Sequence, residues 1–204
     1  MMNMTSRAAY LRAIAVGTGA ALFLSGCLSL GGAVPDSLLT LSADNVPPAN
    51  SARQGTVATS LTVLVPSVPQ MLRTPRIPVQ TTATSIAYVA DAQWVEAPAR
   101  LFQRLLSETV AARTNRLVLD ESQYITGPGE LLAGELLEFG VEAGTNEAVV
   151  TYQALRLTGN GGTVSQRRFE ARELVGEVNA ANVGAALNRA ANRVAADVAG
   201  WVAS

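Results

Sequence analysis

The sequence predicts a single α+β domain in which an antiparallel β-sheet has two α-helices packed on one face. Three strand-like runs, at residues 130–141, 148–157 and 163–171, follow one another with glycine- and asparagine-rich turns between them. Such turns accept positive φ angles and are typical of antiparallel hairpins. Two other stretches repeat apolar residues at three- and four-residue spacings, which predicts the two helices.

The N-terminal segment has the composition of a secretory signal peptide. Arg7 and Arg12 precede an apolar run at residues 13–24, which is too short to span a bilayer comfortably. The run leads into Leu-Ser-Gly-Cys at residues 24–27, the pattern of a bacterial lipobox. This pattern predicts cleavage before Cys27, a diacylglycerol on its nucleophilic thiol, and an acyl chain such as palmitate on its new amine.

The lipobox divides the chain into a cleaved lipoprotein signal peptide (1–26), a lipidated tether (27–35) and a domain (36–204). Leu28 stands where an Asp commonly retains a Gram-negative lipoprotein in the inner membrane. We therefore expect a lipid anchor in the outer membrane, on its periplasmic face. The alternatives are a cleaved signal followed by an ordinary cysteine, or a short membrane helix.

The composition excludes most catalytic chemistry. The chain has 15 basic residues, all of them Arg, together with no His and a single Cys. It therefore cannot build a Ser-His-Asp triad, a lysine Schiff base or a His- or Cys-ligated metal site, and we expect no catalytic residue, metal or cofactor. A carboxylate pair that hydrolyses glycosides remains as an alternative. The net charge of −1 and the scattered Arg residues argue against nucleic-acid binding.

Short strands are predicted in the first half of the domain, at residues 37–42, 61–65, 85–89 and 117–119. Between the second and third of these, three prolines exclude a helix and indicate an irregular or edge segment around Met71, Leu72 and Arg73. A proline-stiffened loop loses little entropy on docking, so these three are the candidate partner-binding residues. The alternative is that they only cover the core. Because the run at 130–141 is apolar on both faces, we also expect the sheet face without helices to contact a partner.

The first helix is predicted to begin at Pro98, which suits a first helical turn, and to end near residues 114–115. Trp94 lies just before this helix. We predict that it is a core anchor at the junction of strand and helix, and a ligand platform is the alternative.

The second helix is predicted at residues 180–202, with Asn179 as its N-cap and Trp201 as a second core anchor. A position on a membrane surface is disfavoured because its polar face has few cations. The strand before it contains Arg167 and Arg168, which we interpret as a solvated edge. Binding of an anionic headgroup is the alternative for this pair.

A series of short motifs runs over most of the mature chain. After the lipobox they are, in order, Leu39-Thr40-Leu41, the run 61–66 leading to Met71-Leu72-Arg73, Ile86-Ala87-Tyr88, Trp94-Val95-Glu96-Ala97-Pro98, Leu136-Leu137-Glu138-Phe139, Arg167-Arg168-Phe169 and Trp201-Val202. Their order resembles that of the ABC-type transport auxiliary lipoproteins, the outer-membrane partners in Pqi-type intermembrane transport. The chain departs from the family at Leu38 and Ala99, where an aromatic residue and a Leu are frequent.

The resemblance implies a non-enzymatic auxiliary subunit of an ABC and MCE-type system that moves lipids or other hydrophobic molecules between membranes. Its partners would be an MCE-domain protein and, through it, an ABC permease and ATPase on separate chains; this chain has no Lys for a Walker loop. A homo-oligomeric ring around the partner would also fit. An assembly lipoprotein that plugs or chaperones an outer-membrane β-barrel is the alternative function.

The lipobox leads to a direct test of the anchor. We expect Cys27→Ala to release the domain into the soluble periplasm or to leave it uncleaved, because each buried methylene contributes about 0.8 kcal/mol and two or three acyl chains anchor almost irreversibly. Membrane fractionation and the mass of the mature chain measure both outcomes. Normal processing with wild-type outer-membrane recovery would contradict the lipobox.

Overall fold

The computed structural model describes residues 37–123, 129–158 and 162–204. The predicted signal peptide and Cys27 lie outside these residues. Most residues of the two predicted turns, at 126–129 and 159–162, also lie outside them. Pro35–Ser204 forms one compact unit. Its elements are β1 (Leu61–Val63), β2 (Arg76–Thr82), β3 (Ser85–Gln93), α1 (Pro98–Thr114), β4 (Val118–Asp120), β5 (Glu130–Glu142), β6 (Glu147–Thr158), β7 (Val164–Leu174) and α2 (Ala180–Ala203), with 3-10 turns at Val57–Thr59 and Gln70–Leu72.

The predicted α+β class is confirmed: within the described residues, a seven-stranded sheet is covered on one face by the two helices. The hairpins β5–β6 and β6–β7 are antiparallel, as predicted, and so is β2–β3. The pairings β1–β4, β1–β5 and β2–β5 are parallel, so the sheet as a whole is mixed. Parallel neighbours come from segments that are distant in sequence, which hairpin signals do not indicate.

Strand β5 is the centre of the sheet because both of its edges are occupied. One edge pairs with β6 over its whole length, and the other pairs first with β1 and then with β2. A register shift between Leu136 and Glu138 interrupts the β6 pairing, as a β-bulge does. Close approach of β2 requires Gly140, where an added Cβ would lie 2.5 Å from the carbonyl oxygen of Pro78.

Strand β2 occupies part of the segment predicted to be irregular or an edge. Pro78 has no N–H for a ladder, and prolines are therefore rare in central strands. Here the pairing with β5 is confined to Val79 and Gln80, immediately after the proline. The turn Gln70–Leu72 precedes β2 and is a 3-10 turn, so no α-helix forms in this segment.

The predicted first strand at 37–42 is reduced to a single parallel bridge between Leu39 and Trp94. The backbone N–H of Leu39 donates to Gln93 at 2.8 Å, and that of Val95 donates to Leu39 at 2.8 Å. After this bridge the chain runs along α2, and we call residues 38–44 the strap.

Two asparagines of α2 hold the strap by its backbone. The Nδ2 of Asn192 donates to the carbonyl of Ser42 at 2.9 Å, and its Oδ1 accepts the N–H of Asp44 at 2.8 Å. The Oδ1 of Asn188 accepts the N–H of Ser42 at 2.9 Å. Every backbone N–H and C=O outside a ladder needs another partner, and here these side chains replace the missing ladder of a strand.

The boundaries of both helices agree with their local signals. Pro98 is the first residue of α1, and the helix ends before Asn115, whose φ of 54° is left-handed. Asn179 caps α2 because its side chain accepts the backbone N–H of Asn182 at 2.9 Å. Capping of this kind satisfies N–H groups that have no partner inside the helix.

The core lies between the helices and the sheet, and aromatic pairs connect the layers. The rings of Phe102 in α1 and Tyr152 in β6 are 5.2 Å apart, and those of Trp94 and Phe139 are 5.5 Å apart. The buried face of α2 is rich in fully buried alanines, which allow this helix to lie close to its neighbours.

The two tryptophans provide a matched test of the core. Trp94 is 1% exposed, whereas Trp201 is half-buried against Phe169 with ring centroids 5.8 Å apart. We expect Trp94→Ala to lower the free energy of unfolding by about 3–5 kcal/mol, the usual range for a buried Trp. Trp201→Ala should lower it by less, because part of that side chain is already in solvent. Urea denaturation of the soluble domain from about Asp36 onward measures both, and equal losses would contradict this assignment.

Candidate interaction surface on the open face of the sheet

The face of the sheet without helices is defined by the alternation along β6. Ala148, Val150 and Tyr152 point toward the helices and are fully buried. Val149 and Thr151 point the other way, as successive residues of a strand do. We call this second surface the open face.

Val149 and Thr151 are nevertheless buried, with Thr151 at 0% exposure. The hydroxyl of Thr151 donates to a carboxylate oxygen of Glu138 on β5 at 2.7 Å. It also lies 3.4 Å from a carboxylate oxygen of Glu170 on β7. Side chains of the flanking strands therefore cover the middle of β6, although no helix does.

A cavity of about 120 Å³ opens on this face, where β2 meets β5. We call it the open-face pocket. It forms because Gly140 contributes no side chain at the point where Pro78 comes close. Its lining is Met71, Pro78, Gln80, Glu138, Phe139, Gly140, Val141, Glu142, Val149 and Arg172.

Arg172 of β7 lines the pocket and pairs with carboxylates of three strands. Its guanidinium pairs with Glu142, with Glu170 at 2.8 Å and with Glu147 at 3.4 Å. These charge-assisted hydrogen bonds raise the pKa of Arg172 above its ordinary value, so it stays a cation. The hydrogen bond from Arg172 is also the main cause that lowers the pKa of Glu170 below 4.5, against a smaller opposing effect of burial.

The structure separates the three residues predicted to bind a partner. Met71 is half-buried and lines the open-face pocket. Arg73 is exposed to solvent. Leu72 is 0% exposed and belongs to the core, so its side chain offers no surface to a partner. Leu72 therefore covers the core, as the alternative had it, and contact with a partner stays a prediction for Met71 and Arg73.

The structure also locates the other residues singled out in the sequence. Trp94 is a core anchor, as predicted, and is buried too deeply to be a ligand platform. Arg167 and Arg168 are exposed on β7, which pairs only with β6 among the described strands. Arg167 lies over the ring of Phe169, with the guanidinium carbon 5.1 Å from its centroid.

The described part of the chain shows neither a carboxylate or cysteine cluster for a metal nor a membrane-spanning helix. It contains no group of three or more Cys, Asp or Glu residues placed to hold a metal ion. None of its helices is long and apolar enough to cross a membrane.

The sequence did not indicate Arg172 or Gly140 as parts of a site. The alternation of acidic and basic residues along β7 and the glycine inside an apolar strand are the available signals, and a glycine in a strand often marks a close backbone approach. Neither signal says which strand comes close, because β2 and β7 are far from β5 in sequence.

The fold agrees with comparisons to known proteins. A model of the family described as ABC-type transport auxiliary lipoprotein component matches residues 39–199. A crystal structure of protein XCC0632 from Xanthomonas campestris has a TM-score of 0.65 at 21% identity, covering 81% of this chain and 94% of that chain. A crystal structure of an uncharacterized protein has a TM-score of 0.62 at 14% identity, covering 74% of this chain and 96% of that chain. No curated protein matches the sequence significantly.

At these identities the two structures show a shared fold alone. The family match extends over most of the chain and through every element from the bridge at Leu39 to α2. The chain therefore belongs to the family of ABC-type transport auxiliary lipoprotein components, as the order of its motifs predicted.

The pairing of Arg172 with Glu170 predicts a pH-dependent contribution to stability. Because folding lowers the pKa of Glu170, its contribution is complete above pH 4.5 and is lost as the pH falls through the lower folded pKa. We expect Arg172→Gln to return the pKa of Glu170 toward 4.5 and to destabilise the fold most near neutral pH, with a difference that shrinks in acid. Both side chains are partly exposed, so the effect on stability is small.

Carboxyl NMR titration of Glu170 and urea denaturation across pH measure these two effects. Arg168→Gln is the control, because the guanidinium of Arg168 is 3.8 Å from Glu170 and contributes less to its pKa. An unchanged titration of Glu170 in the Arg172→Gln variant would show that Arg172 does not hold this carboxylate.

Proposed function

We propose that this chain is an outer-membrane lipoprotein of an ABC and MCE-type intermembrane transport system for lipids or other hydrophobic molecules. It acts as a docking subunit without enzymatic activity, held to the periplasmic face by lipids on Cys27. The family match over residues 39–199 carries the transport assignment. The lipobox supports the anchor, and the resemblance of the motifs supports the MCE-type partner.

The size of the open-face pocket supports docking of a protein side chain at this site rather than binding of a lipid there. Pockets that enclose a drug-sized molecule measure about 300–1,000 Å³. The open-face pocket is about 120 Å³, which suits one aliphatic or aromatic side chain. We infer that the hydrophobic cargo passes through the partner, and that this chain supplies a fixed point at the outer membrane.

The chemistry of the open face supports a role without catalysis. Two carboxylates line the pocket: that of Glu138 accepts from the hydroxyl of Thr151 and that of Glu142 pairs with Arg172, and the chain has no His or Lys to act as a base. The apolar side chains in the lining of the pocket are those of Met71, Pro78, Phe139, Val141 and Val149. An apolar depression with a polar rim is the usual form of a protein interface.

Recovery of the partner from envelope extract tests this function. The soluble domain is used as bait and compared with the double variant Met71→Ser/Arg73→Ser, in which the buried Leu72 is kept. We expect the wild-type domain to recover an MCE-domain protein. The variant should recover about tenfold less, which corresponds to ~1.4 kcal/mol of binding free energy.

The control variant Val57→Ser/Arg100→Ser removes one exposed apolar group and one exposed Arg. Arg100 lies on α1, on the helix-covered side of the sheet. The control variant should therefore recover as much MCE-domain protein as the wild-type domain. Thermal melting of all three shows that they are folded. Recovery of an outer-membrane barrel protein without an MCE protein would replace this function by the assembly alternative. Equal MCE recovery by all three would leave the function intact and move the contact away from Met71 and Arg73.

A further inference from the structure

Two large apolar side chains are exposed where β7 leads into α2. Leu174 at the end of β7 is 71% exposed, and Val178 in the connection is 48% exposed. The connection is well ordered by hydrogen bonds, since Asn182 donates to the carbonyl of Glu177 at 3.0 Å and Val175 donates to that of Asn146 at 3.0 Å. Leu174 and Val178 are therefore held in solvent by a defined turn.

The strap begins at the same end of α2. Leu39 packs so closely on Gly184, in the second turn of this helix, that an added Cβ there would lie 2.9 Å from the leucine side chain. From this contact the strap runs toward the C-terminal end of α2, through Ser42 and Asp44. Leu38, which precedes the contact and is 48% exposed, therefore lies toward the N-terminal end of the helix. We call Leu38, Leu174 and Val178 the α2 corner.

The chain that continues from the strap leads to the proposed anchor. Ser37 is only ten residues after Cys27, and ten residues span at most about 36 Å even when fully extended. A bilayer that holds lipids on Cys27 must then lie within that distance of Ser37, which adjoins Leu38 of the α2 corner. Exposed apolar groups at such a position suit the boundary between headgroups and acyl chains.

Charge favours the bilayer itself over an anionic ligand. Glu177 is the exposed charged residue in the connection, and Arg189, the nearest cation on α2, pairs with Glu173 at 3.2 Å. Binding to anionic lipid depends on free cations, so the α2 corner would bind through its apolar surface.

We propose that the α2 corner rests on the surface of the phospholipid bilayer that carries the lipids of Cys27. This proposal rests on the proposed lipid anchor and adds to it the orientation of the domain on the bilayer. With Leu174 at the membrane, Val164 at the other end of β7 is ten residues away, or about 33 Å along the strand. The domain stands with the Leu174 end of β7 toward the lipid.

A fluorescent label on an introduced cysteine tests this orientation in the full lipidated chain. Lipidation blocks the thiol of Cys27, so Leu174→Cys, Val178→Cys and Val164→Cys each provide a single reactive site. Val164 is the matched control because it is an apolar residue on the same strand and is 60% exposed. Each labelled chain is reconstituted in phosphatidylethanolamine and phosphatidylglycerol vesicles with and without doxyl-labelled lipid.

We expect labels at 174 and 178 to shift to shorter emission wavelength and to be quenched by doxyl lipid, and the label at 164 to do neither. Vesicle flotation is measured on the same samples. A chain that does not float would overturn both the anchor and the orientation. A chain that floats with all three labels unquenched would leave the anchor intact and refute the orientation. A wavelength shift at 174 and 178 without quenching would also refute it, because a second protein surface would then cover the corner.

Discussion

The whole domain depends on β5 being paired with other strands along both of its edges. Strands β1 and β2 pair with successive parts of one of these edges. Strand β2 can approach β5 only because Gly140 has no side chain to collide with Pro78. The register shift after Leu136 then sends Phe139 toward Trp94 and the core, while Glu138 faces the open side. One local irregularity thus places a core anchor and a rim carboxylate on opposite sides of the same strand, and both the packing and the candidate surface follow from it.

The open face combines a satisfied polar network with an unfilled apolar depression. Glu142, Glu147 and Glu170 converge on Arg172, and an arrangement in which each ionic group has partners avoids the penalty of an uncompensated charge. Such groups are engaged in holding strands together and are poor candidates for proton transfer. The depression beside them, lined by Met71 among others, is shaped by backbone geometry and suits packing against another protein.

Helix α2 connects the core with the N-terminal segment. Its alanine face lies in the core, while Asn188 and Asn192 hold the backbone of the strap and Gly184 admits Leu39. The same helix therefore fixes the position of the strap, the first described segment after Cys27 in the sequence. In the proposed function this matters because a tether held to the core transmits the position of the membrane to the docking surface.

The sequence by itself determined the elements that depend on neighbours along the chain. Alternation and turn residues predicted the two long hairpins, and Asn179 with the apolar stripe predicted α2, because caps, turns and periodicity act within a few residues. The absence of His and Lys limited the chemistry in the same way, without reference to the fold. Only the tertiary structure decided that the segment with Pro78 forms a strand, that Leu72 is core while Met71 is not, and that Arg172 meets carboxylates of three strands. These outcomes depend on which distant segments lie side by side, and local patterns do not contain that information.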